Sequence, residues 1–243
     1  MGDTPEWLGR AKREALAAYE QLPAPTRKSE NWRFTSVRKA TFDAFQPATE
    51  ASAAEGSEAL ASSNLVKAPA GRLVFVNNRL VARELDSGIE AKGVRFLPFE
   101  AAVKELGELL EDYFIKARAA LGSEKYVDFH IAFVQSGTVL YVPKNTVIEQ
   151  PFTAYNWVGG DQQTIFPLTL VIAGENSELT IVDALHSLSG AGKNAAIAHS
   201  SVFAGANARV FRKVLQNFNQ QSVSLQVEST EADRDAQIAS LEL

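Results

Sequence analysis

The feature that most constrains this chain is a short repeat inside a run of β-patterned segments. Ala173-Gly174-Glu175-Asn176-Ser177-Glu178-Leu179 matches Ala204-Gly205-Ala206-Asn207-Ala208-Arg209-Val210, at an offset of 31 residues. Both copies follow a β-branched or aromatic run and lead into another. Self-similarity at a fixed period among short strands is the mark of a solenoid, in which each coil buries its face on the next. In each copy the Gly is expected to turn the corner with φ > 0, a region that Asn also tolerates. A β-sandwich is the alternative that two copies leave open.

The rest of the chain fits around that core. From residue 127 onward, short apolar runs separated by turn residues fall at 129–134, 139–142, 152–158, 168–172, 179–182, 197–203, 210–215, 223–227 and 238–243, with no helical pattern between them. Ahead of them, Thr4 is expected to cap a helix with Pro5 at its first position. Trp7, Leu8, Ala11, Ala15, Ala18, Tyr19 and Leu22 lie on one side of it at helical spacing, and Pro23 and Pro25 end it. Residues 46–71 are rich in Ala, Ser and Glu and poor in large apolar side chains. They read as a flexible linker with at most a weak Ala/Glu helix. A hairpin is expected at 73–82 around Asn77-Asn78, and a strand at 94–97. One amphipathic helix then carries Phe99, Val103, Leu106, Leu109, Leu110, Tyr113, Phe114, Ala117 and Leu121 until Gly122 stops it. The segments are thus 1–45 (helical), 46–71 (linker), 72–126 (small α/β unit with the amphipathic helix) and 127–243 (β-solenoid core).

Composition removes several functions. The chain has 243 residues, a net charge of -5 and no cysteine. Thiolate catalysis and Cys-ligated zinc or iron–sulfur sites within the chain are therefore excluded. No basic run supports nucleic-acid binding. No stretch approaches a membrane span, and residues 1–6 show no signal-peptide pattern, so a cytoplasmic protein is expected.

The candidate chemistry is thin. His130, His186 and His199 are the three histidines. His130 is expected to be structural, in an alternating strand. His186, His199 and Asp183 are the weak candidates for a metal or proton-transfer site, because adjacent coils could bring them close. Ser200 and Ser201 beside His199 make no triad signature. Gly159-Gly160 and Gly190-Ala191-Gly192-Lys193 lack the hydroxyl of a phosphate loop. No motif points to an enzyme. The last residues, Ile238-Ala239-Ser240-Leu241-Glu242-Leu243, alternate like a strand, which leads to the expectation that more chain follows or that a partner covers this edge.

Three segments resemble the SufB/SufD family of iron–sulfur cluster assembly proteins. Leu22-Pro23 through Pro25-Thr26-Arg27-Lys28-Ser29-Glu30-Asn31-Trp32-Arg33-Phe34-Thr35 is similar to the family's opening motif, on which Pro25, Thr26, Glu30, Trp32, Arg33 and Thr35 are its matching positions. Gly137-Thr138-Val139-Leu140-Tyr141-Val142-Pro143 with Glu149-Gln150-Pro151 resembles the start of its β-helix. The stretch 168–179 resembles one of its coils. Gln216-Asn217-Phe218 stands where SufB-like relatives carry Gln-Asn-Trp, which places the resemblance on the SufD side.

The resemblance implies a mainly β protein: an N-terminal helical segment followed by a right-handed parallel β-helix, incomplete at its C-terminus. It also implies a non-enzymatic subunit that pairs with a SufB-like subunit through the β-helix. A SufC-like ATPase would dock on a region beyond Leu243. Iron and the iron–sulfur cluster are handled by the complex as cargo, with no cofactor assigned to this chain. The alternatives are a structural protein-interaction solenoid and a carbohydrate-active β-helix enzyme, the latter requiring an open groove of charged residues.

Overall fold

The computed structural model describes residues 4–34, 42, 44–117 and 123–243; Thr35, Leu121 and Gly122 lie outside them. Strands β5 (Gly137–Val142), β7 (Gln163–Ile165), β8 (Leu168–Ala173), β10 (Ala195–Ala204) and β12 (Val223–Ala232) form one wall of a parallel solenoid. Strands β6 (Phe152–Val158), β9 (Glu178–Ser187), β11 (Arg209–Asn217) and β13 (Gln237–Glu242) form the other. Successive strands of a wall come from successive coils, about three turns in all.

The coil period explains the repeat. Gly137 lies opposite Leu168, and Leu168 opposite His199, steps of 31 residues. His199 lies opposite Val227, a step of 28. At one corner Asn145, Asn176, Asn207 and Asp235 stack in the left-handed region, with φ of 59°, 54°, 58° and 58°. Asn207 Nδ2 donates to Asn176 Oδ1 (3.1 Å), and Asn176 Nδ2 to Asn145 Oδ1 (2.9 Å). Asn, not Gly, therefore turns the corner. Gly174 and Gly205 serve close approach between coils. A Cβ on Gly174 would sit 2.5 Å from the Lys144 backbone nitrogen, and one on Gly205 would sit 3.0 Å from that of Glu175.

Alternation along each strand fills the interior. Leu140, Val142, Phe152, Val171, Ala173, Leu179, Ile181, Val202, Ala204 and Val210 form a core between the walls. Fully burying a large aliphatic or aromatic side chain of this kind contributes about 1.5–3 kcal/mol. The first coil is covered on both walls. The hairpin of β2 (Gly71–Val76) and β3 (Arg79–Leu85) continues one, with Asn77 and Asn78 at φ 49° and 62° in its turn, as the sequence predicts. Strand β4 (Arg95–Pro98) pairs antiparallel with β5 on the other. A two-residue strand, β1 (Gln46–Pro47), adds to β7.

The helices differ from expectation in five places. Helix α1 (Glu6–Gln21) starts with Pro5 in the cap position and has no side-chain cap from Thr4. Within 46–71 the weak helix does form, as α2 (Ala53–Ser62). A reciprocal capping box joins Ser52 and Glu55, and Ala59 is fully buried against Val74, Val76, Tyr155 and Trp157. A five-residue helix, α3 (Ser87–Ala91), joins β3 to β4 with Asp86 as its cap. The amphipathic stripe is two helices, α4 (Phe99–Glu105) and α5 (Gly107–Lys116), because Gly107 takes φ +43° and breaks the run. Residues 129–134, expected as a strand, belong to α6 (Glu124–Phe133). There Tyr126, Val127, His130 and Ile131 are buried at i, i+1, i+4 and i+5, the spacing of one helix face. The β-solenoid therefore begins at Gly137. Helices α1, α4, α5 and α6 pack a second core onto the outer face of the wall containing β8 and β10, through Phe99, Leu110, Phe114, Ile131, Leu168 and Phe203.

Candidate functional site

The densest polar chemistry lies inside the solenoid, at positions where alternation would place apolar side chains. Asp183 follows Leu179 and Ile181 at the inward positions of β9. Arg212 stands between Val210 and Val214 at those of β11. Arg212 Nε donates to Asp183 Oδ2 (2.8 Å), with the two side chains 4% and 3% exposed. Thr169 Oγ1 donates to the other Asp183 oxygen (3.1 Å). Arg212 Nη1 faces the carboxylate of Glu228, one coil further on, and Ser200 Oγ donates to the same carboxylate (3.4 Å). Thr138, Thr169, Ser200 and Glu228 are partners across successive strands of one wall, so a polar row runs through the coils along the solenoid axis. Buried charges persist where they are paired and hydrogen-bonded. The Asp183–Arg212 pair with Thr169 meets that condition across the two walls, while Arg212 Nη1 and Thr138 Oγ1 are buried without a hydrogen-bond partner.

The histidines are distributed over other environments. His186, on β9, stacks on Trp157 (ring centroids 4.4 Å, interplanar angle 20°), and burial pushes its pKa down. Its Nε2 is buried without a hydrogen-bond partner. His199 is on β10, in the opposite wall, so the two do not form a shared site. His199 instead meets His130 of α6, with ring centroids 5.4 Å apart. Burial lowers the His199 pKa to about 4, opposed by a hydrogen bond with the Ala117 backbone. Burial, together with the neighbouring His199, holds His130 well below the usual histidine range. Asp183 is engaged by Arg212 and Thr169. Among the described residues, no group of three or more His, Cys, Asp or Glu side chains is placed to hold a metal ion.

The described residues of the opening motif sit together beside α6. Thr26 Oγ1 accepts from the Lys28 backbone N–H (3.2 Å), and Ser29 Oγ accepts from that of Thr26 (3.0 Å), closing a tight polar turn. Glu30–Trp32 form one 3-10 turn. Trp32 packs its ring against Tyr126 (5.2 Å), Arg33 lies over the Phe34 ring (4.6 Å), and Pro25, Glu30 and Trp32 line a surface hollow of about 310 Å³. Lys125 reaches the C-terminal carbonyls of α1, at Tyr19 (2.7 Å) and Leu22 (2.6 Å), and so fixes this corner to α6.

The sequence reading named Asp183 but not its partners Arg212 and Glu228. The available signal was positional: a charged residue between two inward valines of an alternating strand, as in Val210-Phe211-Arg212-Lys213-Val214. An outer groove of about 750 Å³ between α5 and the ends of β8 and β10 carries Tyr113, Lys116, Tyr141, Lys144 and Glu175. The interior charges do not line it. No helix among the described residues is long and apolar enough to cross a membrane.

Two family models match the chain in tandem. Residues 3–153 match the SufBD protein N-terminal region. Residues 156–243 match the SufBD core domain of the SUF iron–sulfur cluster assembly system. The iron–sulfur cluster assembly protein SufD of Bacillus subtilis is 29% identical over 193 residues, covering 74% of this chain and 41% of that protein. SufBD-family iron–sulfur cluster assembly proteins of Staphylococcus haemolyticus and Staphylococcus aureus are each 28% identical over 114 residues, 47% of this chain and 24% of theirs. The chain thus spans less than half the length of these relatives.

Proposed function

The chain belongs to the SufB/SufD family of iron–sulfur cluster assembly proteins, and on that footing we propose that it is the SufD-type, non-enzymatic subunit of a cytoplasmic assembly complex. In this reading it pairs with a SufB-like subunit through the β-helix. A SufC-like ATPase engages a region that lies outside residues 1–243 in the longer relatives. Iron and the growing cluster are cargo of the complex, and this subunit supports scaffold assembly and iron acquisition.

The observation that carries the reading is the tandem family match laid over the fold, with the N-terminal region on the helical layer and first coils and the core region on the remaining coils. The inward direction of the strongest polar groups supports it. Asp183, Arg212 and Glu228 bind one another between the walls, a use suited to holding coils in register. A carbohydrate-active β-helix needs carboxylates in an open groove, and the outer groove does carry Glu175, Glu231 and Asp233 beside Lys116 and Lys144. Against that alternative it is the family match, not the placement of charge, that favours the subunit reading. The opening motif has an anchoring role in the same reading, joining the N-terminal stretch to α6 through Trp32 and Tyr126.

Purifying the tagged protein from its own cells, with mass spectrometry of what accompanies it, tests the proposal. Co-purification of a SufB-like protein and an ABC-type ATPase is the expected result. Recovery of the protein alone, or with unrelated partners, overturns it.

A further inference from the structure

We propose that the contact between His130 and His199 is an acid-sensitive latch, which holds the α5–α6 helical layer on strand β10 at neutral pH and releases it as the pH falls. Both rings are buried, with residue exposures of 1% and 2%, and they meet edge to face across the junction of α6 and β10. His130 Nε2 lies 3.1 Å from the Pro167 carbonyl, which can only accept, so Nε2 carries the proton. Nδ1 is then a bare lone pair in a dry site, with no partner. The Ala117 backbone at the end of α5 also acts on the His199 ring, beside the Tyr113–Phe203 contact that joins α5 to β10 (ring centroids 4.8 Å). His199 Nε2 lies 3.5 Å from Ser201 Oγ, which in turn meets Ser229 Oγ of β12 at 2.7 Å. The two imidazoles therefore join two helices to one strand, and they do so in their neutral forms.

Backbone groups of Pro167 and Phe166 at His130 and of Ala117 at His199 favour the charged forms, but burial outweighs them at both rings, and no carboxylate is among the groups that act on either ring. The groups acting on His130 by charge are His199 on β10 and Lys12 on α1, both cationic when ionised. Lys12 is itself half-buried, donating to the Val134 carbonyl at the end of α6. Asp128, the carboxylate on α6 nearest in sequence, is buried and already partnered. The remaining neighbours are the serine hydroxyls, the Phe166 ring and backbone carbonyls. Protonating either ring places an imidazolium in a dry site beside like charge, and separating α6 from β10 is the route by which it reaches water.

The sign follows from linkage. Both groups bind protons more weakly folded than unfolded, so the docked state is favoured above the ordinary histidine pKa of about 6.5 and loses ground as pH falls toward the folded values. For His199, with a folded value of about 4, the opening equilibrium at about pH 5 rises roughly twentyfold over neutral pH.

Amide hydrogen exchange on the intact protein reads this directly, after correction for the intrinsic rate at each pH. Protection in α5 and α6 should fall by more than about tenfold between about pH 7 and about pH 5, while β6 and β9 in the opposite wall hold theirs. The double variant His130→Gln, His199→Gln keeps a donor at each site but cannot titrate, and its α5–α6 protection should be flat over that range. The latch is overturned if wild-type protection does not change relative to β6 and β9, or if the double variant opens with acid as readily. Should that variant fail to fold, NMR titration of the wild-type imidazoles decides. Rings that stay neutral below about pH 5 support the latch, and rings that titrate near 6.5 overturn it.

Discussion

Two residues separate what a solenoid requires from what it merely tolerates. Asn176 occupies a left-handed corner and is both donor and acceptor in the stacked amides. Asn176→Ala loses the stack and leaves a β-carbon in the left-handed region without the side-chain amide that offsets the strain, so a loss of about 1–3 kcal/mol is expected. Asn176→Gly should lose less, since glycine adopts that φ freely. Urea unfolding of both variants checks the order, and equal losses would sink the argument. Arg212 is the interior counterpart. Arg212→Met leaves Asp183 buried and unpaired, which costs about 3–5 kcal/mol. Adding Asp183→Leu to it should recover a large part of that loss, because it removes the buried unpaired carboxylate, while Glu228, with its side chain 28% exposed, can reach water. A single variant as stable as wild type would show that the pair is not a closed unit. The corner was readable from the sequence, because Ala-Gly-x-Asn recurs at one period. The ion network was not, since its members lie 14 to 29 residues apart and meet only once the coil length is known. Even the repeat was half hidden. Val142-Pro143-Lys144-Asn145 precedes the two obvious copies, and Ala232-Asp233-Arg234-Asp235 follows them after a shorter coil, with Pro, Lys, Asp and Arg masking the likeness.

At the scale of elements, the misread segments share a cause: local pattern was outweighed by what packs against it. Residues 129–134 are a continuous apolar run, which periodicity alone assigns to strand or helix equally. Extending the window back to Tyr126 and Val127 brings out the helical face that docks on β10. Helix α2 has the opposite character, with little apolar content of its own. It is set by the Ser52–Glu55 capping box and by the small Ala59 side chain, which lets the helix approach Tyr155 and Trp157. Trp157 Nε1 then donates to Ser63 Oγ just past its end (3.0 Å). Ser52→Ala removes an acceptor for the Glu55 N–H and should cost about 1 kcal/mol. Because α2 lies on the outside of one wall, the effect should be local. Hydrogen exchange should quicken in 53–62 while the strands beneath keep their protection. Loss of protection spread evenly through β6 and β9 would instead make α2 part of the solenoid's cooperative unit.

For the molecule as a whole, the two ends of the coil stack are built differently, and that asymmetry has a consequence. At the first coil both walls are closed, by the β2–β3 hairpin and by β4, whose antiparallel pairing ends the parallel ladder. Arg72–Glu84 and Arg83–Glu90 ion pairs dress this end with charge. At the coil that ends with Leu243, β12 and β13 each pair on one side only among the described residues. The outer edges of two parallel strands are therefore open to any chain that brings matching backbone groups. The apolar side chains beside them are uncovered, with Leu241 51% and Phe211 45% exposed. In a longer chain a further coil would continue both ladders; in a polypeptide of residues 1–243 alone, another copy can occupy them. A polypeptide of residues 1–243 should therefore self-associate, its mass by light scattering rising above 26.4 kDa with concentration. Leu241→Lys, which places charge on the open edge, should shift the rise to higher concentration. If the mass stays at the monomer value throughout, β12 and β13 do not act as adhesive edges.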